Sequence, residues 1–312
     1  MTLLYYDDAF LQHDTGPHPE CADRLRAVVA QLTDTDLLAR CERPTWNDAT
    51  PEQIALAHDA DYIKAVRQFA ERGGGAIEAD TIVSRPSYDV ARKAVGAVCD
   101  AVDRVITGEE RRALCLVRPP GHHALRQAPM GFCLFSNVSV GALWAAEHHA
   151  LDRVLIVDWD VHHGNGTQNV FWADPRVGFL SIHRWPFYPG SGDASETGTG
   201  DALGTTVNVP VEFGTSRKDY LAQFESALTD LAAKIRPQLV IVSAGFDSHR
   251  ADPVGSLGLE IEDFAPLSQA VLDVADSYAD GKLVSVLEGG YNPEMLAGCV
   301  ELHLAEMMGR KT

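Results

Sequence analysis

One stretch of this sequence is more informative than any other: Val154-Leu155-Ile156-Val157-Asp158-Trp159-Asp160-Val161-His162-His163-Gly164-Asn165-Gly166. Its first four residues are apolar, which is typical of a buried strand. Because alternate side chains of an extended segment share a face, Asp158, Asp160 and His162 point the same way if the strand conformation continues. A carboxylate and an imidazole at a strand end indicate half of a zinc site, and a third ligand must come from elsewhere.

The composition indicates one large α/β domain. The chain has 312 residues, of which 46% are hydrophobic, and no linker, repeat or change of composition divides it. We therefore predict a single catalytic domain over residues 1–312. The formal charge of −18 disfavours nucleic acid and anionic membranes as partners and would attract a cationic substrate. The same charge can equally serve solubility alone.

The cysteines predict a reducing, cytoplasmic location. All six are scattered, at positions 21, 41, 99, 115, 133 and 299, and none forms a C-x-x-C pair. The first residues lack the basic segment of a signal peptide. No apolar run approaches the ~20 residues that cross a bilayer. The oligomeric state is left open by these observations.

Apolar runs alternate with amphipathic helical stretches along the chain. The predicted strands are Ala113–Val117, Val154–Val157, Val177–Ile182, Leu239–Ser243 and Leu283–Leu287. The predicted helices are Ala22–Leu32, Tyr88–Ile106, Asn137–His149, Tyr220–Ile235, Ile261–Ala279 and Pro293–Met307. Such alternation predicts an α/β fold with a mostly parallel central sheet and helices on both faces.

Polar, histidine-bearing or glycine-rich segments follow directly after the predicted strands. They are Arg118–Met130, Asp158–Gly166, His183–Thr205, Ala244–Gly258 and Glu288–Asn292. Because α/β enzymes build their sites at the carboxyl ends of parallel strands, we expect these segments to converge on one active site. The part Tyr188–Gly204 is rich in glycine, serine and threonine, and we interpret it as an ordered rim loop rather than a strand.

Asp247 is the candidate third metal ligand. It lies in Ala244-Gly245-Phe246-Asp247, directly after a predicted strand. With Asp160 and His162 it gives a mixed nitrogen and oxygen set with an open position, which suits catalytic zinc. Ligand identity alone does not separate Zn²⁺ from Fe²⁺ or Co²⁺. The alternative is that Asp247 merely caps its loop.

Two further motifs carry groups for acid–base chemistry. His122-His123 follows Arg118-Pro119-Pro120-Gly121 at a strand end. The two imidazoles are a candidate acid–base pair, or else a second pair of metal ligands or surface histidines. Tyr291 follows Glu288-Gly289-Gly290, and its hydroxyl either stabilises an oxyanion or packs against the sheet edge.

Seven motifs together identify a family. They are His18-Pro19-Glu20 with Arg24-Leu25, Arg118 to His123, Gly131-Phe132-Cys133, Asp158 to Gly166, Ser181 to Arg184, Ala244 to Asp247 with Asp252-Pro253, and Glu288 to Asn292. From about Tyr5 to Cys299 the chain resembles the zinc-dependent histone deacetylase and acetylpolyamine amidohydrolase superfamily, which has the arginase–deacetylase fold. Trp159, Asn165 and Glu288 are similar to the class II branch, which includes bacterial histone deacetylase-like amidohydrolases.

The resemblance implies which residues bind metal and move protons. One zinc ion would be bound by Asp160, His162 and Asp247. His123 would act as general base and then as general acid. His122 would stay protonated, with a hydrogen bond to Asp158.

Two more catalytic roles follow from the same resemblance. Asn165 stands where class I members carry an aspartate next to His123, and a neutral amide there should raise the basicity of the imidazole less. Tyr291 would donate a hydrogen bond to the scissile carbonyl. The implied reaction is attack on an amide by metal-activated water, which releases acetate and an amine.

The resemblance also implies residues for the substrate and for structural potassium. The channel would be lined by Gly131, Phe132 and Tyr188, its rim by Asp80 and Val254, and the acetate exit by Arg24. One potassium ion would be bound by Asp158, Ser181 and Ile182, together with the backbone of Asp160 and His162. A second would be bound by Phe171, Asp174, Val177 and Phe213.

The substrate class has two candidates, acyl-lysine in proteins or peptides and an acetylpolyamine or other small amide. Polyamine-specific relatives carry an acidic residue just after the Asp-Pro pair, whereas this chain carries Val254, which favours acyl-lysine. A catalytically dead binding module is disfavoured by the complete set of catalytic residues. An arginase-like manganese hydrolase is disfavoured because the loop after Asp160 supplies no further carboxylates.

Overall fold

The structure, a computed structural model, describes residues 2–309. The predicted domain of residues 1–312 extends beyond it at residue 1 and at residues 310–312, which lie outside the described residues. Within the described range no helix is both long enough and apolar enough to cross a membrane.

A parallel sheet of seven strands forms the centre of the protein. Its spatial order is β1-β4-β9-β8-β5-β6-β7, and every neighbouring pair is parallel. These strands are β1 (Leu3–Tyr5), β4 (Arg112–Cys115), β5 (Val154–Asp158), β6 (Val177–Arg184), β7 (Thr206–Val211), β8 (Leu239–Ala244) and β9 (Leu283–Leu287). Two short strands, β2 (Gly74–Ala76) and β3 (Ile82–Ser84), pair antiparallel outside this sheet.

Helices cover both faces of the sheet. They are α1 (Asp23–Asp34), α2 (Pro51–Ile54), α3 (Ala60–Glu71), α4 (Ser87–Thr107), α5 (Asn137–His148), α6 (Asn165–Phe171), α7 (Arg217–Ile235), α8 (Phe264–Tyr278) and α9 (Pro293–Gly309). The long helices form two groups: α4 packs with α5, while α7, α8, α9 and α1 pack in succession. Strands β5, β8 and β9 are buried along their whole length, as expected for parallel strands covered on both faces.

The fold class predicted from the sequence is confirmed. All five predicted strands and all six predicted helices are present with small shifts of their ends, except that Ile261–Asp263 is a 3₁₀ turn before α8. Strands β1 and β7 of the main sheet, the β2–β3 pair and helices α2, α3 and α6 were not predicted. The segment Tyr188–Gly204 contains no strand, in agreement with its interpretation as a loop.

The parallel arrangement places the polar segments at one edge of the sheet. Asp158, the last residue of β5, is in register with Ser181 of β6 and with Ser243 of β8. The chain continues from each of these positions into one of the polar segments. The predicted convergence of these segments is therefore a direct result of strand direction.

Candidate metal centre and active site

Three predicted metal ligands meet at the carboxyl ends of two neighbouring strands. Asp160 and His162 follow β5, and Asp247 follows β8, which pairs with β5. The Nδ1 atom of His162 lies 3.0 Å from Asp160 Oδ1 and 3.1 Å from Asp247 Oδ2. One possible ligand atom from each side chain lies within 4.8 Å of the others, and all three residues are buried. The fold thus brings these three groups together although Asp160 and Asp247 are 87 positions apart in the chain.

The surroundings of these carboxylates fit a bound cation. Asp247 Oδ1 accepts a hydrogen bond from the Val161 amide at 2.8 Å, whereas its buried Oδ2 makes no well-aligned hydrogen bond, although His162 Nδ1 lies 3.1 Å away. A buried carboxylate oxygen without a donor costs free energy, and a metal ion within the cluster would remove that cost. One imidazole and two carboxylates are a ligand set of catalytic zinc, which keeps a position open for water or substrate.

Two glycines let the neighbouring loops approach the carboxylates. A Cβ atom on Gly245 would come within 2.1 Å of Asp160 Oδ2, and one on Gly289 within 2.3 Å of Asp247 Oδ2. A larger residue at either position would therefore displace a predicted ligand. The amide of Gly289 also donates to Asp160 Oδ2 at 2.8 Å, so a backbone group supplies the hydrogen bond that this oxygen would receive from water if it were exposed.

The two histidines after β4 have different partners. His122 Nδ1 lies 2.9 Å from Asp158 Oδ2, and His123 Nδ1 lies 2.7 Å from Asn165 Oδ1. Their ring centroids are 4.0 Å apart, and each residue is 3% exposed. Because an amide oxygen can only accept a hydrogen bond, His123 carries a proton on Nδ1 and leaves Nε2 free to accept another.

The charges around the pair separate the two imidazoles. Burial alone would lower the pKa of His122, but the negative charges of Asp158 and Asp160 raise it to about 10. The pKa of His123 lies well below its usual range because the ring is buried and because cationic His122 repels a second proton. Near neutral pH, His122 is a cation and His123 is a neutral base.

Tyr291 is fixed through its backbone and its ring. Its amide donates to Asp252 Oδ2 at 2.6 Å, and the guanidinium of Arg24 lies 4.9 Å from the ring centroid. Arg24 is fully buried and donates to the carbonyls of Glu288 and Gly290 at 2.5 and 2.6 Å. Burial raises the pKa of Tyr291 well above its usual value, so its hydroxyl remains a hydrogen-bond donor.

Two buried carboxylates orient these loops, and their contacts were not predicted from the sequence. Glu288 Oε2 accepts hydrogen bonds from the amides of Gly121 and His122 at 2.6 and 3.2 Å, and burial raises the pKa of Glu288 to about 7. Asp252 binds the Val254 amide at 2.9 Å with its second oxygen. The sequence did carry a signal for the role of Glu288, because an acidic residue directly after an apolar strand indicates a buried carboxylate.

Aromatic rings lie between the buried groups and the surface. The Phe132 ring packs edge-on against Tyr291 at 5.5 Å, and the Tyr188 ring packs edge-on against His123 at 5.3 Å. Tyr188 is 38% exposed, so it reaches from the buried histidine to solvent. Gly131 approaches His123 so closely that a Cβ atom would come within 2.3 Å of the ring. The three predicted channel residues thus surround the same two groups.

The two predicted rim residues are half-buried and tied to this wall. The carboxylate of Asp80 accepts a hydrogen bond from the Thr81 hydroxyl at 2.9 Å, and that hydroxyl accepts one from the Phe132 amide at 3.1 Å. Val254 is linked to Tyr291 through Asp252, as described above. Both rim residues therefore lie close to the aromatic rings.

The first group of predicted potassium ligands is contiguous in the fold. Asp158 and Ser181 are in register on β5 and β6, and Ile182 follows in β6. The Ser181 hydroxyl lies 3.0 Å from His183 Nδ1, and the Asp160 amide donates to Asp158 Oδ1 at 3.1 Å. The end of β5 and the second half of β6 thus lie side by side next to the metal centre.

The second group is not contiguous, and the prediction that Phe213 belongs to it is wrong. Phe171, Asp174 and Val177 lie close together, joined by amide-to-carbonyl hydrogen bonds of 3.2 and 3.4 Å. Phe213 lies two residues beyond β7, with the guanidinium of Arg184 at 4.6 Å from its ring. Val177 and Arg184 are the two ends of β6, which are about 23 Å apart at the usual rise of a strand.

Removal of a predicted ligand should abolish metal binding. We expect Asp247→Ala to copurify with little zinc, because one imidazole and one carboxylate remain. The control is Asp174→Ala, which removes a half-buried carboxylate bonded to Arg176 outside the cluster. Zinc per folded protein is measured by elemental analysis, and stoichiometric zinc in Asp247→Ala would contradict the assignment.

Comparisons with known proteins show the family of this chain. Residues 18–307 match the family model for the histone deacetylase domain. An uncharacterized protein from Synechocystis is 39% identical over 306 residues, which cover 96% of this chain and 97% of that protein. A probable deacetylase from Archaeoglobus fulgidus is 34% identical, over 94% of this chain and 82% of its own length.

Larger relatives share the same region. Human polyamine deacetylase HDAC10 is 41% identical over 98% of this chain, which spans about half (48%) of that protein. The crystal structure of the HDA15 HD domain superposes with a TM-score of 0.92 at 34% identity, covering 99% of this chain and 89% of that one. The chain therefore belongs to the histone deacetylase family and is a deacetylase hydrolase.

Proposed function

We propose that the protein removes acetyl or other acyl groups from the ε-amino group of lysine in proteins or peptides. The observation that carries this proposal is the apolar Val254 at the rim. Asp252 binds the amides of both Val254 and Tyr291, so this rim position is fixed relative to the tyrosine. An isopropyl group there offers no partner to the second ammonium group of a polyamine.

The aromatic wall also suits an acylated lysine. Acylation neutralises the lysine ammonium and leaves an uncharged chain of four methylenes ending in an amide. Phe132 and Tyr188 present ring surfaces to such a chain on the way to His123 and Tyr291. Apolar walls with a few polar groups at the end are typical of small-molecule sites.

His123 is the proposed base and acid. With Nδ1 bonded to Asn165 Oδ1, its Nε2 accepts the proton of the attacking water and later donates it to the leaving amine. Protonated His122, paired with Asp158, keeps the pKa of His123 low, which favours return of the proton to the amine.

Tyr291 is the proposed donor to the carbonyl oxygen. Its hydroxyl stays protonated and can stabilise the negative charge that develops on that oxygen. A zinc ion held by Asp160, His162 and Asp247 would polarise the amide carbonyl and acidify water. We also propose a structural potassium ion at Asp158, Ser181 and Ile182, where the end of β5 lies in register with the second half of β6. The six free cysteines support a proposed location in the reducing cytoplasm.

Loss of the tyrosine hydroxyl should slow the chemical step. We expect Tyr291→Phe to lower kcat about 10²–10³-fold, the usual effect of removing one oxyanion donor. The matched control is Tyr278→Phe, which removes a hydroxyl from an exposed ring at the end of α8, outside the site, and should leave kcat nearly unchanged. Steady-state kinetics of an acetyl-lysine peptide measure both, and a kcat of Tyr291→Phe within a few-fold of the parent would exclude Tyr291 from the mechanism.

The choice between substrate classes is tested by paired turnover. We expect the zinc-loaded protein to hydrolyse an acetyl-lysine peptide with a higher kcat/KM than N-acetylputrescine. Val254→Glu should shift the ratio toward acetylputrescine, because a carboxylate at the rim attracts the distal ammonium group; Val254→Gln is the uncharged control. Preference of the parent for acetylputrescine would contradict the proposal and indicate that the overall charge of −18 selects the substrate.

A further inference from the structure

We propose that Arg184 is a positioning residue for the substrate channel, and that Phe213 completes its binding site. This inference rests on the proposed function of the channel. Arg184 is the last residue of β6, and its guanidinium lies 4.1 Å from the ring centroid of Phe187 and 4.6 Å from that of Phe213. The cation therefore lies against two aromatic rings contributed by different loops.

Phe187 connects this cation to the metal centre. Its ring is stacked on the imidazole of His162, with centroids 5.3 Å apart and planes inclined by 16°. The next residue is Tyr188, whose ring packs edge-on against His123. Arg184 therefore supports the ring behind a predicted metal ligand and the segment that carries a channel residue.

The same guanidinium also binds the loop after β8. Its Nη1 donates to the carbonyl of Gly255 at 3.1 Å and lies 3.4 Å from that of Ser256. These residues follow Val254 at the rim, and the Ser256 amide donates to the carbonyl of Asp247 at 2.7 Å. The backbone of Arg184 makes a further link, because its amide donates to the Val161 carbonyl at 2.9 Å. One residue thus joins the loops that follow β5, β6, β7 and β8.

These contacts require an arginine rather than any cation. A planar guanidinium offers two faces to aromatic rings while its edge donates hydrogen bonds, whereas an ammonium group cannot do both. Phe213 is 66% exposed, which is unusual for a large apolar side chain. Its contact with the Arg184 guanidinium is a structural reason for an aromatic ring at this exposed position. By covering the cation from solvent, the ring strengthens the other contacts of the guanidinium.

Two hydroxamates of different length test the proposal on the zinc-loaded protein. Acetohydroxamate reaches the metal alone, whereas a hydroxamate with a six-methylene chain and an aromatic cap also fills the channel. We expect Arg184→Ala to weaken binding of the long hydroxamate about 10-fold or more, because the channel wall loses its fixed position, and to weaken binding of acetohydroxamate far less, because that ligand does not touch the wall. Arg184→Lys should resemble Arg184→Ala, and Phe213→Ala should give a smaller loss in the same direction. Calorimetry measures all four proteins.

The kinetic counterpart is a rise in KM for the acetyl-lysine peptide with little change in kcat. A purely structural role would reduce the folded fraction, and hence the apparent kcat, without raising KM. An equal loss for both hydroxamates, or full affinity in Arg184→Lys, would overturn the proposal. If the Arg184 variants do not fold, Phe213→Ala still tests the proposal, because it changes a residue at the surface and should leave folding intact. Failure of the parent to hydrolyse the peptide would refute the proposed function while leaving the comparison of hydroxamates interpretable.

Discussion

The burial of four carboxyl groups at one edge of the sheet is the constraint on which the site depends. Asp158, Asp160, Asp247 and Glu288 are all 0% exposed. Removing a carboxylate from water costs several kcal/mol per ion unless it is paired or hydrogen-bonded. Each of these side chains therefore needs a fixed partner, and the local architecture is arranged around supplying one.

Backbone amides and one cation supply most of these partners. Glu288 accepts from the amide of Gly121, Asp160 from the amide of Gly289, and Asp158 pairs with protonated His122. The oxygen left without a donor is Asp247 Oδ2, at the centre of the predicted metal cluster. A cation is required there for the same reason that the other carboxylates have donors, namely that a buried acceptor without a partner costs free energy. The glycines beside the cluster are needed because only a backbone without Cβ fits between the carboxylates.

The same arrangement separates the two adjacent imidazoles. His122 faces carboxylates, whereas His123 faces an amide oxygen and aromatic rings. A cation held beside a neutral base gives that base a low pKa without placing a positive charge on it. Two neighbouring residues of the same type can thus take different proposed roles, because His122 meets the end of β5 whereas His123 meets the start of α6.

Much of this arrangement could be predicted from local pattern. The apolar runs Val154–Val157 and Leu239–Ser243 predicted β5 and β8, and the parallel direction expected from alternating strands and helices placed Asp160 and Asp247 at one edge. Contacts between distant segments could not be predicted in this way, because Gly121 and Glu288 are 167 positions apart in the chain and no periodic pattern signals their hydrogen bond.

The error at Phe213 has a particular cause. Strand β7 contains Pro210, which argues against a strand, so its alternation of valines at 207, 209 and 211 was not recognised. A parallel strand carries the chain from one end of its neighbour to the other, and this displacement separates Phe213 from Val177. The three-residue strand β1 was missed because such a length gives too few residues for a periodic pattern.

The central claim is that Asp160, His162 and Asp247 hold one catalytic zinc ion while His122 and His123 remain outside its ligand shell. X-ray absorption at the zinc edge of the zinc-loaded protein tests this most directly. The account predicts a shell of nitrogen and oxygen at about 2.0–2.2 Å, with the multiple scattering of one imidazole and no sulfur. Scattering from two or more imidazoles, or a sulfur shell at about 2.3 Å, would contradict it.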